Sequence, residues 1–246
     1  MKLNEDIELL EGMPIAYIKS INAIAVADLH LGYEGVMAKR GIYLPKTNLR
    51  KILEALGDAI GETHAKSVVV DGDIKNEFSD VDEAEFNELF DFIKFLKEKG
   101  VDPVLIKGNH DNFVERYREA FKLKVYGQEA VIGRYHFFHG EELPSNVGKD
   151  EMLVMGHEHP AIGVFNSVGK KEKLRCFLYG RYSSSEFLAL PAMNYFAAGT
   201  EINMEPAEKL LSPIFKKLDV DKLRAIAIGY GSTMDFGTIE KLRNVY

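Results

Sequence analysis

Three strongly apolar segments, at residues 21–27, 67–70 and 104–106, each end in a short polar block, and these segments constrain the fold most. Continuous apolar runs of this length are typical of β-strands that are covered on both faces. In open α/β sheets, functional sites form at the carboxyl ends of the strands. The sequence therefore predicts an α/β fold whose polar blocks lie together at one edge of a sheet.

The residues in these three blocks suit metal binding. Asp28 and His30 follow the first segment and, two residues apart in an extended chain, point to the same side. Asp73 follows the second segment, and we expect Asp71, two residues earlier, to support the site rather than to bind metal. Asn109 and His110 follow the third, in a GNHD block that alone would also suit a polar turn. Asn109 offers a neutral carbonyl oxygen, and His110 can carry a proton near neutral pH.

Two further blocks extend this pattern. His139 follows the apolar residues 135–138, and His157 and His159 follow the apolar residues 152–155. Imidazoles, carboxylates and an amide oxygen without a thiolate favour Mn²⁺, Fe²⁺ or Zn²⁺ over Ca²⁺. Seven ligands are too many for one catalytic ion, but they suit two ions, roughly 3.5–4 Å apart, that share a bridging carboxylate.

The rest of the chain shows fewer chemical signals. Helices are expected from Thr47 or Asn48 to about residue 60, and from Ser79 or Asp80 to Lys99. Residues 161–190 alternate short apolar runs with Gly, Lys and Ser, which predicts antiparallel strands. Residues 192–246 contain no recognisable chemistry.

Composition limits the class of protein. The single cysteine, Cys176, lies in an apolar run, which favours buried packing and a reducing, cytoplasmic setting. The polar start of the chain is unlike a signal peptide, and no apolar stretch is long enough to span a bilayer. The formal net charge of −7 comes with no evident basic patch of the kind that binds long duplex DNA. Bound cations would reverse the local charge, so acidity does not exclude a phosphate substrate.

The ordered blocks D-x-H, GD, GNHD, a lone His and GHxH, which span about half of the chain, resemble the calcineurin-like metallophosphoesterase superfamily. The DLHLG and GHEHP sequences, with Arg40-Gly41 and Leu44-Pro45, look most similar to the small SbcD-related phosphoesterases of archaea and of bacterial ligase-associated type. The resemblance implies a four-layer α/β/β/α sandwich of two mixed sheets flanked by helices. We expect residues 1–246 to form one domain, with residues 190–246 a C-terminal elaboration of it.

The resemblance also implies a role for each matching residue. One ion would bind Asp28, His30, Asp73 and His159, and the other Asp73, Asn109, His139 and His157, with Asp73 as the bridge. His110 would protonate the leaving oxygen or stabilise the phosphoryl group. Asn76 stands where many relatives carry Asp or His, so it could hydrogen-bond a phosphate but not act as a strong base. Arg40 is the second candidate for substrate contact, and a solvated surface position is its alternative.

Together these observations predict a dinuclear phosphoesterase that cleaves phosphodiester bonds of nucleic acid or nucleotides with a metal-bridging hydroxide. The favoured ion is Mn²⁺, with Fe²⁺, Zn²⁺ and Ni²⁺ as alternatives, and single-stranded DNA is one candidate substrate. A small-molecule phosphomonoesterase or nucleotide pyrophosphatase is the second interpretation. A catalytically silent scaffold subunit is the third, and the presence of every expected ligand argues against it.

Overall fold

A mixed, six-stranded sheet carries the first three polar blocks. The computed structural model describes residues 1–78, 83–112 and 114–244. Strand order in this sheet follows the chain, with antiparallel pairing among the first three strands and parallel pairing among the last four. The strands are β1 (Ile7–Leu9), β2 (Ala16–Ile18), β3 (Ala23–Val26), β4 (Ser67–Asp71), β5 (Asp102–Ile106) and β6 (Lys124–Tyr126).

A second mixed sheet of nine strands carries the remaining two blocks. Its strands are β7 (Glu129–Ile132), β8 (Tyr135–Phe138), β9 (Met152–Met155), β10 (Pro160–Phe165), β11 (Lys171–Tyr182), β12 (Ser185–Ala189), β13 (Thr200–Glu201), β14 (Arg224–Gly229) and β15 (Ser232–Thr238). The main strand order is β13-β10-β11-β12-β9-β8-β7, and β14 pairs with both β11 and β15. β8 and β9 are parallel neighbours, so the residues that follow them emerge at the same edge.

Helices fill the connections of the first sheet. They are α1 (Tyr33–Lys39), α2 (Asn48–Thr63), α3 (Glu83–Glu98) and α4 (Arg118–Phe121), and α5 (Ile239–Arg243) follows β15. Short 3₁₀ helices lie at Val114–Tyr117, Ala207–Lys209, Pro213–Lys216 and Val220–Lys222. The predicted start of α2 is confirmed, and the helix continues to Thr63 because Ala59 and Ile60 remain buried in its last turn. The predicted cap of α3 at Ser79 or Asp80 lies outside the described residues.

Three apolar clusters separate four layers, which confirms the predicted fold class. Consecutive strand residues contribute to opposite clusters: Val68 and Val70 pack beneath α2 and α3, whereas Val69 packs between the two sheets. The third cluster lies on the outer face of the second sheet, under α5 and the C-terminal 3₁₀ helices. The fourth layer is therefore built from short helical turns, in contrast to the 16-residue helices that cover the first sheet.

The segment that follows β12 connects the two sheets. Ala192 forms a parallel bridge with Ala27, and the Met193 N–H donates to the Ala27 carbonyl oxygen at 2.8 Å. This contact holds the end of β3, and with it the first polar block, against the second sheet. Among the described residues, every helix is too short or too polar to cross a bilayer.

Candidate metal centre

The five polar blocks meet at one edge shared by the two sheets. β3, β4 and β5 are parallel neighbours, so Asp28, Asp73 and His110 leave the first sheet side by side. The second sheet adds His139 after β8 and His157 after β9. Two hydrogen bonds join the sheets here: His139 Nδ1 contacts the Asp71 carbonyl oxygen at 2.9 Å, and the His157 N–H donates to Asp28 Oδ2 at 3.1 Å.

Backbone strain is concentrated in these blocks. A positive φ is uncommon outside glycine because the side chain crowds the backbone, and such positions cost about 1–3 kcal/mol each. Five of the seven predicted metal ligands have this conformation, namely Asp28 (φ 56°), His30 (44°), Asp73 (51°), His157 (65°) and His159 (49°). The fold thus holds these side chains in directions that relaxed strands would not give them.

Potential ligand atoms form three groups in which all atoms lie within 4.8 Å of one another, and two of these groups share no residue. The first contains Asp28, His30 and His159, and the second contains Asp73, His139 and His157. In the first group, His159 Nε2 lies 3.3 Å from Asp28 Oδ1 and 3.3 Å from His30 Nε2. These two groups contain six of the seven residues predicted to bind metal, and the assignment of these residues to two ions stays a prediction.

Asp73 lies at the centre of the cluster. Its Oδ2 is 3.2 Å from His139 Nε2, 3.8 Å from His30 Nε2 and 3.8 Å from His110 Nε2. A third group of potential ligands therefore consists of His30, Asp73 and His110. The other oxygen, Oδ1, accepts the His110 backbone N–H at 2.9 Å. This carboxylate is thus placed where it could contact ions in both groups.

The protonation of the cluster suits cation binding. Burial lowers the pKa of His30 and of His157 to about 4, so both imidazoles are neutral at pH 7, the form that binds metal. Burial opposes ionisation of Asp73, but the hydrogen bond and charge of His139 outweigh it and hold the pKa of Asp73 below its usual range. His30 and His157 are therefore neutral nitrogen donors beside an ionised carboxylate, whereas the neighbouring Asp28 and Asp73 outweigh burial and raise the pKa of both His139 and His159.

Unpartnered buried atoms also fit a bound metal. Within the described part of the chain, Asn109 Oδ1 is buried and has no hydrogen-bond partner, and the buried His139 Nε2 lies against the Asp73 carboxylate. Such atoms are costly unless something satisfies them, and both are common metal donors. Because a carbonyl oxygen only accepts, His139 Nδ1 carries the hydrogen that meets the Asp71 carbonyl, so Nε2 is the nitrogen that a cation could bind on displacing its proton. The donors present therefore fit divalent metal ions.

Neighbouring residues hold the polar blocks in place relative to one another. Asp111 is fully buried, and its carboxylate accepts the N–H of Ile74 at 3.0 Å and of Gly108 at 2.9 Å, which ties two blocks together. Glycine is required at two positions because a Cβ at Gly72 would lie 1.9 Å from His139 Nδ1, and one at Gly108 would lie 2.3 Å from Asp73 Oδ1. The predicted supporting residue, Asp71, is fully buried beside the cluster, and burial raises the pKa of its carboxyl well above the usual range.

A cavity of about 330 Å³ opens onto the cluster. His110 lines it together with Asp73 and His159, and residues 198–200 and Leu211 form part of its wall. His110 Nδ1 contacts the Asn76 carbonyl oxygen, so Nδ1 carries a hydrogen and Nε2 is the nitrogen near the other ligands. The cavity has room for a phosphoryl group and part of a leaving group.

The two predicted substrate-contacting residues are placed differently. The Asn76 main chain lies against His110 through its carbonyl oxygen, and its N–H donates to Glu85 Oε1 at 3.1 Å. Arg40 lies outside the cavity wall and forms an ion pair with Glu77 at 3.3 Å, with 66% of its side chain exposed. The structure thus places the Asn76 main chain against His110 and leaves Arg40 at the surface, and substrate contact by either residue stays a prediction.

Two buried asparagines shape the first block, and sequence reasoning missed both. Asn194 Nδ2 donates to the carbonyl oxygens of Leu29 (3.2 Å) and His30 (3.4 Å), and Asn48 Nδ2 donates to Leu29 at 3.3 Å. Both amides are fully buried, so they satisfy carbonyl groups that the left-handed turn removes from the sheet. Asn194 lies in the C-terminal region that shows no chemistry in sequence. In the local sequence, only its position between apolar neighbours indicates that its side chain is buried.

Glu158 is a third missed residue. Its carboxylate is fully buried between His157 and His159 in the chain, and it accepts the Ser212 N–H at 2.9 Å. Burial raises the pKa of Glu158. The C-terminal region therefore braces the GHEHP block as well as forming the cavity wall.

Comparison with known proteins agrees with this geometry. The family model for calcineurin-like phosphoesterases matches residues 21–196. Nuclease MPE of Pseudomonas putida has a similar crystal structure, with a TM-score of 0.65 and 20% identity over 92% of this chain and 94% of that one. YfcE, a phosphoesterase from E. coli, aligns with a TM-score of 0.43 and 14% identity over 88% of this chain and 98% of that one. No curated protein matches the sequence.

The family model covers most of the chain, including all five polar blocks, and the chain therefore belongs to the calcineurin-like phosphoesterase family. Membership implies a hydrolase that acts on phosphate esters with divalent metal ions. The similarity to nuclease MPE, at 20% identity, shows a shared fold.

Proposed function

We propose that this calcineurin-like phosphoesterase is a dinuclear metal-dependent phosphodiesterase that acts on nucleic acid or nucleotides. The observation that carries the proposal is the position of Asp73, whose Oδ2 lies within 4 Å of imidazoles from both ligand groups. One ion would be held by Asp28, His30, Asp73 and His159, and the other by Asp73, Asn109, His139 and His157. Mn²⁺ is the favoured ion because the donors are nitrogen and oxygen without thiolate.

Divalent cations at these positions would supply Lewis acidity, an activated water near neutral pH and charge neutralisation at the phosphoryl oxygens. The protein's own residues would then orient the substrate and manage the leaving group. His110 is the candidate general acid, since its Nδ1–H is held by the Asn76 carbonyl and its Nε2 faces the cavity. Transfer of the Nε2 proton to the departing alkoxide would avoid the release of a strongly basic anion.

Support for a nucleic-acid or nucleotide substrate comes from the SbcD-like sequence details and from a nuclease of similar fold. The modest cavity and the net charge of −7 are the observations that favour a small-molecule monoesterase instead. Both substrate classes present a phosphoryl group to the same metal centre. The distinction therefore depends on which esters are cleaved.

The proposal is tested by turnover of Mn²⁺-loaded protein on matched nitrophenyl phosphate monoesters and diesters, with single-stranded DNA assayed alongside. We expect cleavage of the diester and of DNA, and loss of both activities in EDTA. Turnover of the monoester alone would identify a small-molecule phosphatase. A protein that binds two metal ions and cleaves none of these substrates would instead be a scaffold.

A positioning role for Glu85 follows from the same geometry. Glu85 is buried, and its Oε1 accepts the N–H of Asn76 at 3.1 Å and of Glu77 at 2.7 Å, which fixes the carbonyl that orients His110. We expect Glu85→Ala to lower kcat for the diester about tenfold or more, with little change in KM, because small misplacements of catalytic groups are costly. Steady-state kinetics on the Mn²⁺-loaded variant measure this effect.

Glu85→Gln is the matched control, because its amide oxygen can still accept both N–H groups. It should retain most of the wild-type kcat, and both variants should keep their full metal content. A fall in kcat for the alanine variant that is explained entirely by lost metal, or by lost helical signal in circular dichroism, would contradict the positioning role.

A further inference from the structure

Phe78 is an exposed aromatic residue placed directly against the candidate general acid. Its ring centroid lies 3.8 Å from that of His110, with the two planes inclined by 30°. Even so, 56% of the residue is exposed to solvent. One part of the phenyl ring thus covers the imidazole of a cavity-lining residue, while much of Phe78 remains exposed.

The position of Phe78 is fixed by its surroundings. Asn112 Nδ2, from the same loop as His110, donates to the Phe78 carbonyl oxygen at 3.3 Å. The preceding residue, Glu77, is held through its N–H by Glu85 and through its carboxylate by Arg40. Phe78 is therefore held through its own carbonyl oxygen and through the residue before it.

The chemistry of the reaction determines what would lie next to this ring. His110 would face the departing oxygen of the phosphodiester, so a group stacked on His110 lies beside the leaving nucleotide. In a single strand the bases are unpaired, and their flat faces stack on aromatic side chains in a largely sequence-independent way. In a duplex, those faces are already covered by neighbouring bases.

We propose that Phe78 forms a base-stacking subsite, which binds an unpaired nucleobase of the leaving nucleotide and selects single-stranded nucleic acid. This inference rests on the proposed phosphodiesterase function and names its substrate class. Stacking also accounts for how an acidic chain could hold a polyanion: the affinity would come from the metal centre and from base contacts, in place of an extended basic surface.

The chain contains eleven tyrosines and no tryptophan, so Phe78→Trp introduces a single tryptophan whose fluorescence can be excited selectively. In stopped-flow mixing of the Mn²⁺-loaded variant with oligothymidylate, we expect quenching of tryptophan fluorescence within the first milliseconds. A matched oligonucleotide of abasic residues should give no quenching. The early signal reports stacking whether or not the strand is later cleaved.

Val168→Trp provides the control fluorophore. Val168 is 83% exposed at the tip of the β10–β11 hairpin, and the six residues of β10, roughly 20 Å of extended chain, separate that tip from His159. Its fluorescence should not respond to either oligonucleotide. Equal responses of Phe78→Trp to the thymidine and abasic strands, or no response to either, would overturn the stacking subsite.

A second measurement uses turnover. Phe78→Ala should lower the ratio of kcat/KM for oligothymidylate over the abasic strand about tenfold, and Phe78→Tyr should preserve it. Cleavage without base selectivity would refute the subsite and leave the phosphodiesterase proposal intact. Base-dependent quenching in a protein that cleaves no diester would refute the proposed function and leave the subsite intact.

Discussion

Asp73→Asn should abolish both metal binding and hydrolysis. The carboxylate of Asp73 has imidazoles from three separate loops within 4 Å, and an amide in its place removes one anionic oxygen and the negative charge. We expect the Mn²⁺ content to fall from two ions to fewer than one. Diester turnover should fall by at least about 10³-fold, because most of the rate enhancement depends on the metals. Elemental analysis of the purified variant and initial-rate kinetics measure the two effects.

Asp71→Asn is the matched control, since Asp71 is on the same strand end, is equally buried and undergoes the same substitution. Its carboxylate is outside the groups of potential ligand atoms, and it is the Asp71 main-chain carbonyl that contacts His139. We expect this variant to bind two ions. Wild type and Asp71→Asn should therefore gain thermal stability when Mn²⁺ is added, and Asp73→Asn should gain little. Full metal content in Asp73→Asn would exclude its bridging role.

The prediction of the site from sequence depended on short-range patterns. Apolar runs identified the buried strands, and parallel strands bring their carboxyl ends to one edge, so the order of the blocks was enough to predict their convergence. The pairing of Asp28 with His159, 131 positions apart in the chain, followed from the resemblance and not from any local signal. Their 3.3 Å separation in the structure agrees with that expectation.

Other features could not be predicted because they depend on long-range packing. Asn194 acts on residues 29 and 30 only after the two sheets have assembled, and nothing in its immediate sequence indicates a partner so distant. Glu85 lies in α3 and is buried against the Asn76 turn, a contact that the sequence around Glu85 does not indicate. The single-domain organisation of residues 1–246 stays a prediction. It is supported by β14 and β15, which extend the second sheet.

His110→Ala should lower kcat for an oligonucleotide about 10²–10⁴-fold, the usual contribution of a general acid. The metal content is expected to remain at two ions, because the seven predicted ligands are unchanged. His64→Asn is the control for loss of an imidazole. His64 is exposed at the C-terminal end of α2, near the start of β4, whereas the candidate metal centre lies beyond the carboxyl end of β4. That variant should keep wild-type kinetics.

His110 Nε2 lies 3.8 Å from Asp73 Oδ2, a distance that would also allow His110 to bind metal. The dependence of the rate on the leaving group distinguishes proton donation by His110 from metal binding. A nucleoside alcohol leaves as a strongly basic alkoxide unless it is protonated, whereas nitrophenolate is a weak base that departs without help. His110→Ala should therefore impair oligonucleotide cleavage much more than cleavage of a nitrophenyl diester. An equal loss for both substrates, together with a fall in bound Mn²⁺, would make His110 a ligand instead of an acid.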